Sequence, residues 1–80
     1  MTIGEAVSKR ILDLCRSHNI TLNALSNLCG ITQSTLNNIK SGKSKNPTVS
    51  TVKKVCDGLS ITMVDFFNDP IFESLEPEVR

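Results

Sequence analysis

The sequence has no Trp, no Tyr and only three Phe among its 80 residues. Leu, Ile and Val must therefore fill the core. That core is modest, because a chain of this length buries only roughly 60% of the surface that its unfolded state exposes. The length is that of one domain. No apolar run approaches the ~18 residues that span a bilayer, and residues 1–10 lack the apolar stretch of a signal peptide. We therefore expect a soluble cytoplasmic protein.

Residues that build catalytic or metal sites are also scarce. There is one His, no glycine-rich phosphate loop, and no carboxylate in the middle of the chain, so an enzyme is the weakest interpretation. His18 follows Cys15 by three residues, but a zinc site needs four ligands, and Cys29 and Cys56 lack ligand-like spacing. We expect no metal and no cofactor. The odd number of Cys argues against a disulfide framework, and all three occupy apolar positions, which predicts that they are core residues.

Acidic residues are missing between Leu14 and Cys56. Up to Cys56 the chain has eight Lys and Arg against two acidic residues, a net charge of +6. From Asp57 onward it has one Arg against six acidic residues, a net charge of −5. A surface that approaches phosphates should lack carboxylates, because they repel the nucleic-acid backbone. The acid-free window favours a nucleic-acid-binding surface, with chance in a small sample as the alternative.

A helix-start signal occurs twice in one short stretch. It consists of an apolar residue, a Thr, and a second apolar residue four places after the Thr, at Ile20-Thr21-Leu25 and Ile31-Thr32-Leu36. This is the pattern of a Thr N-cap with a hydrophobic staple. The two starts lie eleven residues apart, with Gly30 before the second. That spacing holds a helix of about two turns and a short turn, which predicts a helix-turn-helix whose second helix enters a DNA groove.

Apolar periodicity predicts five helices and no strand. Their expected ranges are Ile3–Ser17, Leu22–Cys29, Gln33–Ser41, Val49–Asp57 and Met63–Asn68. The expected stops are residues that tolerate a left-handed backbone or interrupt a helix, at Asn19, Gly30, Gly42, Gly58 and Asp69-Pro70. Thr48 and Thr62 are the expected caps of helices four and five. The inward positions of the first two helices are expected to be Val7, Ile11, Leu14, Cys15, His18, Leu25, Leu28 and Cys29.

The segment Thr21–Phe67 resembles the phage-repressor-like (Xre-type) helix-turn-helix family. The matching positions are Thr21, Leu25, Gly30-Ile31-Thr32, Leu36, Ile39, Gly42-Lys43, Asn46-Pro47, Val49, Val52, Leu59, Ile61 and Phe66-Phe67. The resemblance implies an all-α, compact five-helix lambda-repressor-like DNA-binding domain with its helix-turn-helix at helices two and three. It also implies sequence-specific duplex binding, usually as a two-fold dimer, and regulation of transcription. We assign residues 1–68 to this domain and residues 69–80 to an acidic C-terminal tail.

Two positions depart from the family pattern. Relatives often have Gln after the first Thr, where it holds a phosphate and supports the recognition helix, whereas this chain has Leu22. Asn23 or the free amides at the start of helix two can replace that contact. Relatives also commonly have Ala after the inward Leu of helix two, where this chain has Ser26. Ser is nearly as small as Ala, so we expect the packing of the two helices to be preserved.

The candidate DNA contacts follow from burying Leu36 and Ile39 on helix three. The outer face then consists of short, uncharged donors and acceptors. The residues expected to contact bases are Gln33, Ser34 and Asn38, followed by Thr35 and Asn37. Thr35 and Asn37 are alternatively expected to contact phosphate. The residues expected to contact phosphates are Asn23, Lys40, Gly42, Lys43, Ser44 and Lys45. For Lys53 and Lys54, a phosphate contact and ordinary solvation are about equally expected. For Arg10 and Arg16, ordinary solvation is favoured over contact with a flanking phosphate.

The sequence predicts a DNA-binding repressor that acts on a pseudo-palindromic operator as a homodimer. One alternative is an antitoxin or accessory subunit that acts through a protein partner, which the acidic tail motivates. Another is an interaction module that has lost DNA binding, which Leu22 and the nearly neutral charge motivate. The Phe66-Phe67 pair cannot both point inward on a short helix. One ring should lie in the core, and the other is either half-exposed or part of a dimer contact with Ile71, Phe72 and Leu75. The alternative to such a dimer contact is that the tail packs within the molecule.

Overall fold

The computed structural model describes residues 1–41 and 47–79. Its five α-helices are α1 (Ile3–Ser17), α2 (Leu22–Cys29), α3 (Gln33–Ser41), α4 (Val49–Leu59) and α5 (Met63–Phe67), followed by a short 3-10 turn at Pro70–Phe72. No strand occurs in these described ranges. The predicted all-α, five-helix fold is confirmed, with the bounds of α1, α2 and α3 as expected. The predicted stop at Gly42 lies outside the described residues.

Threonine side chains cap the four later helices, as predicted. The side-chain oxygen of each cap accepts a backbone N–H three residues ahead, and the capped pairs are Thr21 with Ala24, Thr32 with Thr35, Thr48 with Thr51, and Thr62 with Asp65. A fifth cap, Thr2, begins α1 in a capping box with Glu5. The Thr2 N–H donates to the Glu5 carboxylate, and this bond lowers the pKa of Glu5.

The predicted end of α4 at Gly58 is wrong. The helix continues to Leu59, and Ser60 provides the left-handed cap at φ 58°. Gly58 is needed for another reason, because a Cβ at this position would lie 2.3 Å from the Cys29 Sγ. The glycine therefore allows α2 and α4 to approach closely. Asn19 and Gly30 do have the left-handed backbone expected of them. Helix α5 ends at Phe67, one residue before the predicted Asn68.

The core lies between α1, α2, α3 and α4 and is closed by Phe66 of α5. All three cysteines are buried in it as free thiols, as predicted. Burial raises the pKa of each thiol, since a thiolate would lose its hydration there. Phe66 is fully buried while Phe67 is partly exposed, which confirms that only one ring of the pair points inward.

Two residues that were expected to face inward are exposed. His18 is the C-cap of α1, and its Nδ1 lies 2.9 Å from the Leu14 carbonyl oxygen rather than in the core. Because α1 ends at Ser17, the helical periodicity that predicts an inward position does not apply to His18. Leu28 is 56% exposed, since Leu25 and Cys29 already fill the inward face of the short helix α2.

The start of the acidic tail packs on the body of the fold. The Pro70–Phe72 turn lies against α1, and the Phe72 ring is 6.2 Å from that of Phe66. Arg10 of α1 connects the two regions: its Nε donates to the Phe66 carbonyl at 2.7 Å, and its guanidinium pairs with Asp69 at 3.3 Å. A flanking phosphate is therefore not the partner of Arg10 here. Among the described helices, none is long and apolar enough to cross a membrane.

Candidate nucleic-acid interface

Helix α3 separates its apolar and polar residues onto opposite faces. Leu36 and Ile39 are buried in the core and hold the helix in place. The opposite face is exposed and carries Gln33, Ser34, Asn37 and Asn38, with Lys40 in the last turn and Thr35 half-buried at the edge. The structure therefore brings the five residues predicted to contact bases together on one helix, four of them fully on the surface.

The turn between α2 and α3 is fixed by a side chain. The Ser26 hydroxyl donates to the Ile31 carbonyl oxygen at 2.5 Å. This bond ties α2 to the residue just before the Thr32 cap of α3. From the sequence, Ser26 is expected only to be a small residue at a helix crossing. Its hydroxyl adds a contact that Ala could not make, so the departure from the family pattern strengthens the turn.

The first turns of α2 and α3 are connected by an amide pair. Gln33 Nε2 donates to Asn23 Oδ1, and both side chains are exposed. The pair leaves the Gln33 Oε1, one Gln33 N–H and the whole Asn23 NH₂ group available for other partners. Leu22 is half-buried against the core, so it does not contribute a polar group to this surface. Asn23 thus contacts α3 from the position that follows Leu22, where relatives often have Gln.

Thr35 has less freedom than the residues around it. Its backbone N–H donates to Thr32 Oγ1 at 3.2 Å, and the two hydroxyl oxygens lie 2.9 Å apart. The Thr35 hydroxyl is therefore engaged within the first turn of α3. It can still offer a lone pair outward, but Gln33, Ser34 and Asn38 are presented more directly.

Some Lys and Arg side chains of the described chain form ion pairs with carboxylates, whereas Lys40 lies on the α3 surface that has none. Arg16 binds Asp13 at 2.8 Å and Lys53 binds Asp57 at 2.5 Å, both on the exposed surface. Lys40 is exposed at the end of α3, and α2 and α3 contain no carboxylate. The predicted phosphate contacts Gly42, Lys43, Ser44 and Lys45 lie outside the described residues.

In the described ranges, no grouping of three or more His, Cys, Asp or Glu could hold a metal ion.

The model of the Cro/C1-type HTH DNA-binding domain matches residues 10–70. The chain belongs to this family. The match extends from the middle of α1 to the start of the tail and includes both helices of the helix-turn-helix. The sequence-based assignment to a phage-repressor-like family is therefore confirmed. Cro/C1-type domains are DNA-binding regulators rather than enzymes, which agrees with the sequence analysis.

A solved structure extends this similarity to nearly the whole Cro/C1-type chain. The crystal structure of the prophage Lp1 protein 11 superposes with a TM-score of 0.80 at 40% sequence identity. The alignment covers 94% of this chain and 99% of that one. No curated protein sequence matches the chain. The similarity to this structure therefore extends beyond residues 10–70, the range matched by the family model.

Proposed function

We propose that this Cro/C1-type protein is a sequence-specific transcriptional repressor of the cytoplasm that contacts the DNA major groove with α3. The observation that carries the proposal is the outer face of α3. It is exposed, polar and free of charge over the residues that would meet base edges, and it is anchored from behind by Leu36 and Ile39. A solvent-facing helix without this function would ordinarily use Glu and Lys there, since Asn is a poor helix former.

Gln33, Ser34 and Asn38 are the proposed base contacts, with Thr35 and Asn37 at the edges of the same face. Gln and Asn side chains can bind adenine through two hydrogen bonds, at its N6 and N7 atoms, and each such pair contributes about 1–3 kcal/mol of discrimination against other bases. Gln33 and Ser34 lie in the first turn, the part of a recognition helix that enters the groove most deeply.

Asn23 is proposed to couple a phosphate contact to a base contact. Its Oδ1 accepts from Gln33, which restrains the Gln33 amide and leaves the Asn23 NH₂ group able to donate to a phosphate oxygen. Lys40, Gly42, Lys43, Ser44 and Lys45 are the other proposed phosphate contacts. Together they would set the position of α3 along the duplex without selecting a sequence.

We further propose that the protein binds as a two-fold dimer. One short recognition helix contacts only a few base pairs, which is too few for a specific site in a genome. Two copies would place their α3 helices roughly 34 Å apart, one helical turn of DNA, on a pseudo-palindromic operator.

Selection of bound sequences from a random duplex pool tests these proposals together. We expect a two-fold motif of two short half-sites. Gln33→Ala should relax the preference at one position in each half-site, by about five- to 150-fold in discrimination, while Lys43→Ala should weaken all sequences alike and reduce the salt slope by about one. Lys9→Ala, on the exposed side of α1, is the matched control and should behave as wild type. The interface is wrongly assigned if Gln33→Ala and Lys43→Ala behave like the control on every duplex.

A protein partner is the second candidate, and an exposed apolar area on α5 favours it. An accessory subunit of this kind would use DNA binding to bring its partner to a site. Co-purification of a partner through the acidic tail would identify such a subunit. Salt dependence instead separates a DNA binder, which loses affinity steeply as salt rises, from a module that has lost DNA binding, which shows no such slope.

A further inference from the structure

The polar face of α3 lacks the side chains that most often contact guanine and cytosine. Its exposed residues up to the last turn are Gln33, Ser34, Asn37 and Asn38, and its one cation, Lys40, lies in the last turn. Guanine presents two acceptors, N7 and O6, which Arg or Lys usually contacts, whereas cytosine presents an N4 donor to Asp or Glu. Gln and Asn instead match adenine, which presents an acceptor at N7 and a donor at N6. The composition of this face therefore favours A·T base pairs.

The amide pair between α2 and α3 sharpens this preference at Gln33. A Gln side chain has two N–H donors and one carbonyl oxygen, so a free amide group can also donate to both acceptors of guanine. Here Gln33 Nε2 donates to Asn23 Oδ1, which leaves one N–H and Oε1 for a base. One donor beside one acceptor complements adenine. Guanine would instead place its O6 opposite the Gln33 Oε1, and two acceptors repel each other.

The backbone on both sides of this amide pair is held in place. Threonine caps begin α2 and α3, and the Ser26 hydroxyl ties α2 to the Ile31 carbonyl oxygen just before α3. Asn23 and Gln33 therefore project from two helix starts whose relative position is fixed by other contacts. Because the backbone is fixed, Asn23 determines which polar atoms of Gln33 are available to a base.

We propose that α3 contacts A·T base pairs through its first two turns, and that Asn23 is a positioning residue that makes Gln33 select adenine over guanine. The inference rests on the proposed DNA binding by α3, and it adds which base is selected and which residue sets the choice. Thr35 agrees with it. Its hydroxyl is already engaged by Thr32, and a Thr methyl group can contact the C5-methyl of thymine.

Base substitution in a selected operator tests the choice of adenine with the full-length protein. Bound duplexes are selected from a random pool, and the base pair that Gln33→Ala no longer selects marks the position contacted by Gln33. We expect adenine there, and replacing it by guanine should weaken binding about tenfold. Replacing it by 7-deazaadenine, which keeps base pairing but lacks the N7 acceptor, should weaken binding to a similar extent. The positions that Asn38→Ala relaxes should also be A·T base pairs.

Variants of Asn23 test its role separately. Asn23→Ala should reduce the ratio of adenine to guanine affinity at the Gln33 position by about fivefold or more, because both Gln33 donors are then free. Asn23→Asp keeps an acceptor for Gln33, so it should preserve the ratio while its charge weakens binding to every duplex. Asn27→Ala, at another exposed Asn of α2, is the matched control and should behave as wild type. Thermal unfolding checks that each variant folds.

Three results would overturn the inference and leave the proposed function standing. The first is a G·C base pair at the position that Gln33→Ala relaxes. The second is an A·T preference that survives both Gln33→Ala and Asn38→Ala, since it would then arise from DNA shape rather than from base contacts. The third is an Asn23→Ala variant that weakens adenine and guanine duplexes equally, as a purely structural role would. Wild-type protein that selects no sequence and shows no salt dependence would overturn the proposed function itself, and this inference with it.

Discussion

The outer face of α3 and the outer face of α5 are both exposed, but their chemistry is opposite. On α3 the apolar residues are buried and the surface carries amides and hydroxyls without any carboxylate. On α5, which contains Asp65, an aliphatic and an aromatic side chain remain in water. The net charge of +1 conceals this division, because the basic and acidic parts of the chain nearly cancel.

The difference shows how one small core can support two surfaces of different use. A face that approaches DNA must exclude carboxylates, whereas a face that carries them is protected from phosphates. Six of the eight acidic residues follow Cys56, α2 and α3 contain none, and the segment after α4 packs on α1 and α4. The comparison predicts that substitutions on the two faces affect stability and binding in different ways.

The largest expected effect is the difference in stability loss between a substitution at a residue that anchors α3 and one on the exposed face of α5. Leu36→Ala should lower the free energy of unfolding by about 2–5 kcal/mol, because it opens a cavity beneath α3 where the side chain is fully buried. Val64→Ala on α5 should change it by less than about 0.5 kcal/mol, since that side chain is mostly exposed. Denaturant unfolding measures both. Equal losses would show that Val64 anchors α5 as firmly as Leu36 anchors α3.

A smaller effect concerns the attachment of the acidic region. Arg10→Met should lower the free energy of unfolding by about 1.5–3 kcal/mol, because the Phe66 carbonyl and the Asp69 carboxylate lose a charged donor. Amide hydrogen exchange should show faster opening around α5 than around α3. Lys9→Met is the matched control, since its ion pair with Asp13 is exposed and contributes about 0–1 kcal/mol. Uniform acceleration over both helices would contradict a local attachment.

The smallest and most gradual effect is expected at alkaline pH. The buried thiols Cys15, Cys29 and Cys56 have raised pKa values in the folded state, so the folded protein holds these protons more tightly than the unfolded chain. Their contribution to stability is present below the unfolded thiol pKa of about 8.5 and is lost as pH rises through the folded values. Because the thiols lie in the shared core, α3 and α5 should loosen together. Denaturant unfolding between neutral and alkaline pH measures this, and replacement of Cys15 by Ser should reduce the slope.

Much of the fold was predictable because its signals are local. A Thr cap, a staple and a residue with a left-handed backbone each involve a few neighbouring residues, and together with apolar periodicity they predicted the bounds of α1, α2 and α3. The exceptions required contacts between helices. Gly58 matches the pattern of a helix stop, yet it lies inside α4, where the Cys29 side chain of α2 leaves no room for a Cβ. Leu28 follows the apolar spacing of α2 but has no partner left to bury it.

The candidate DNA surface was predictable in part for the same reason. Burying Leu36 and Ile39 leaves Gln33, Ser34 and Asn38 outside, because helical periodicity alone determines which residues share a face. The Asn23–Gln33 pair and the Ser26 contact to the Ile31 carbonyl join side chains across a turn. Their existence depends on how two helices cross, which residue spacing does not specify.

The sequence by itself determined the helices, their caps, the family and the separation of basic from acidic residues, because these features depend on neighbours along the chain. Only the tertiary structure decided that Arg10 serves the C-terminal region, that Gly58 allows two helices to touch, and that Val64 and Phe67 remain exposed. Each of these depends on which surfaces meet when the helices pack, and packing brings together residues that are distant in the sequence.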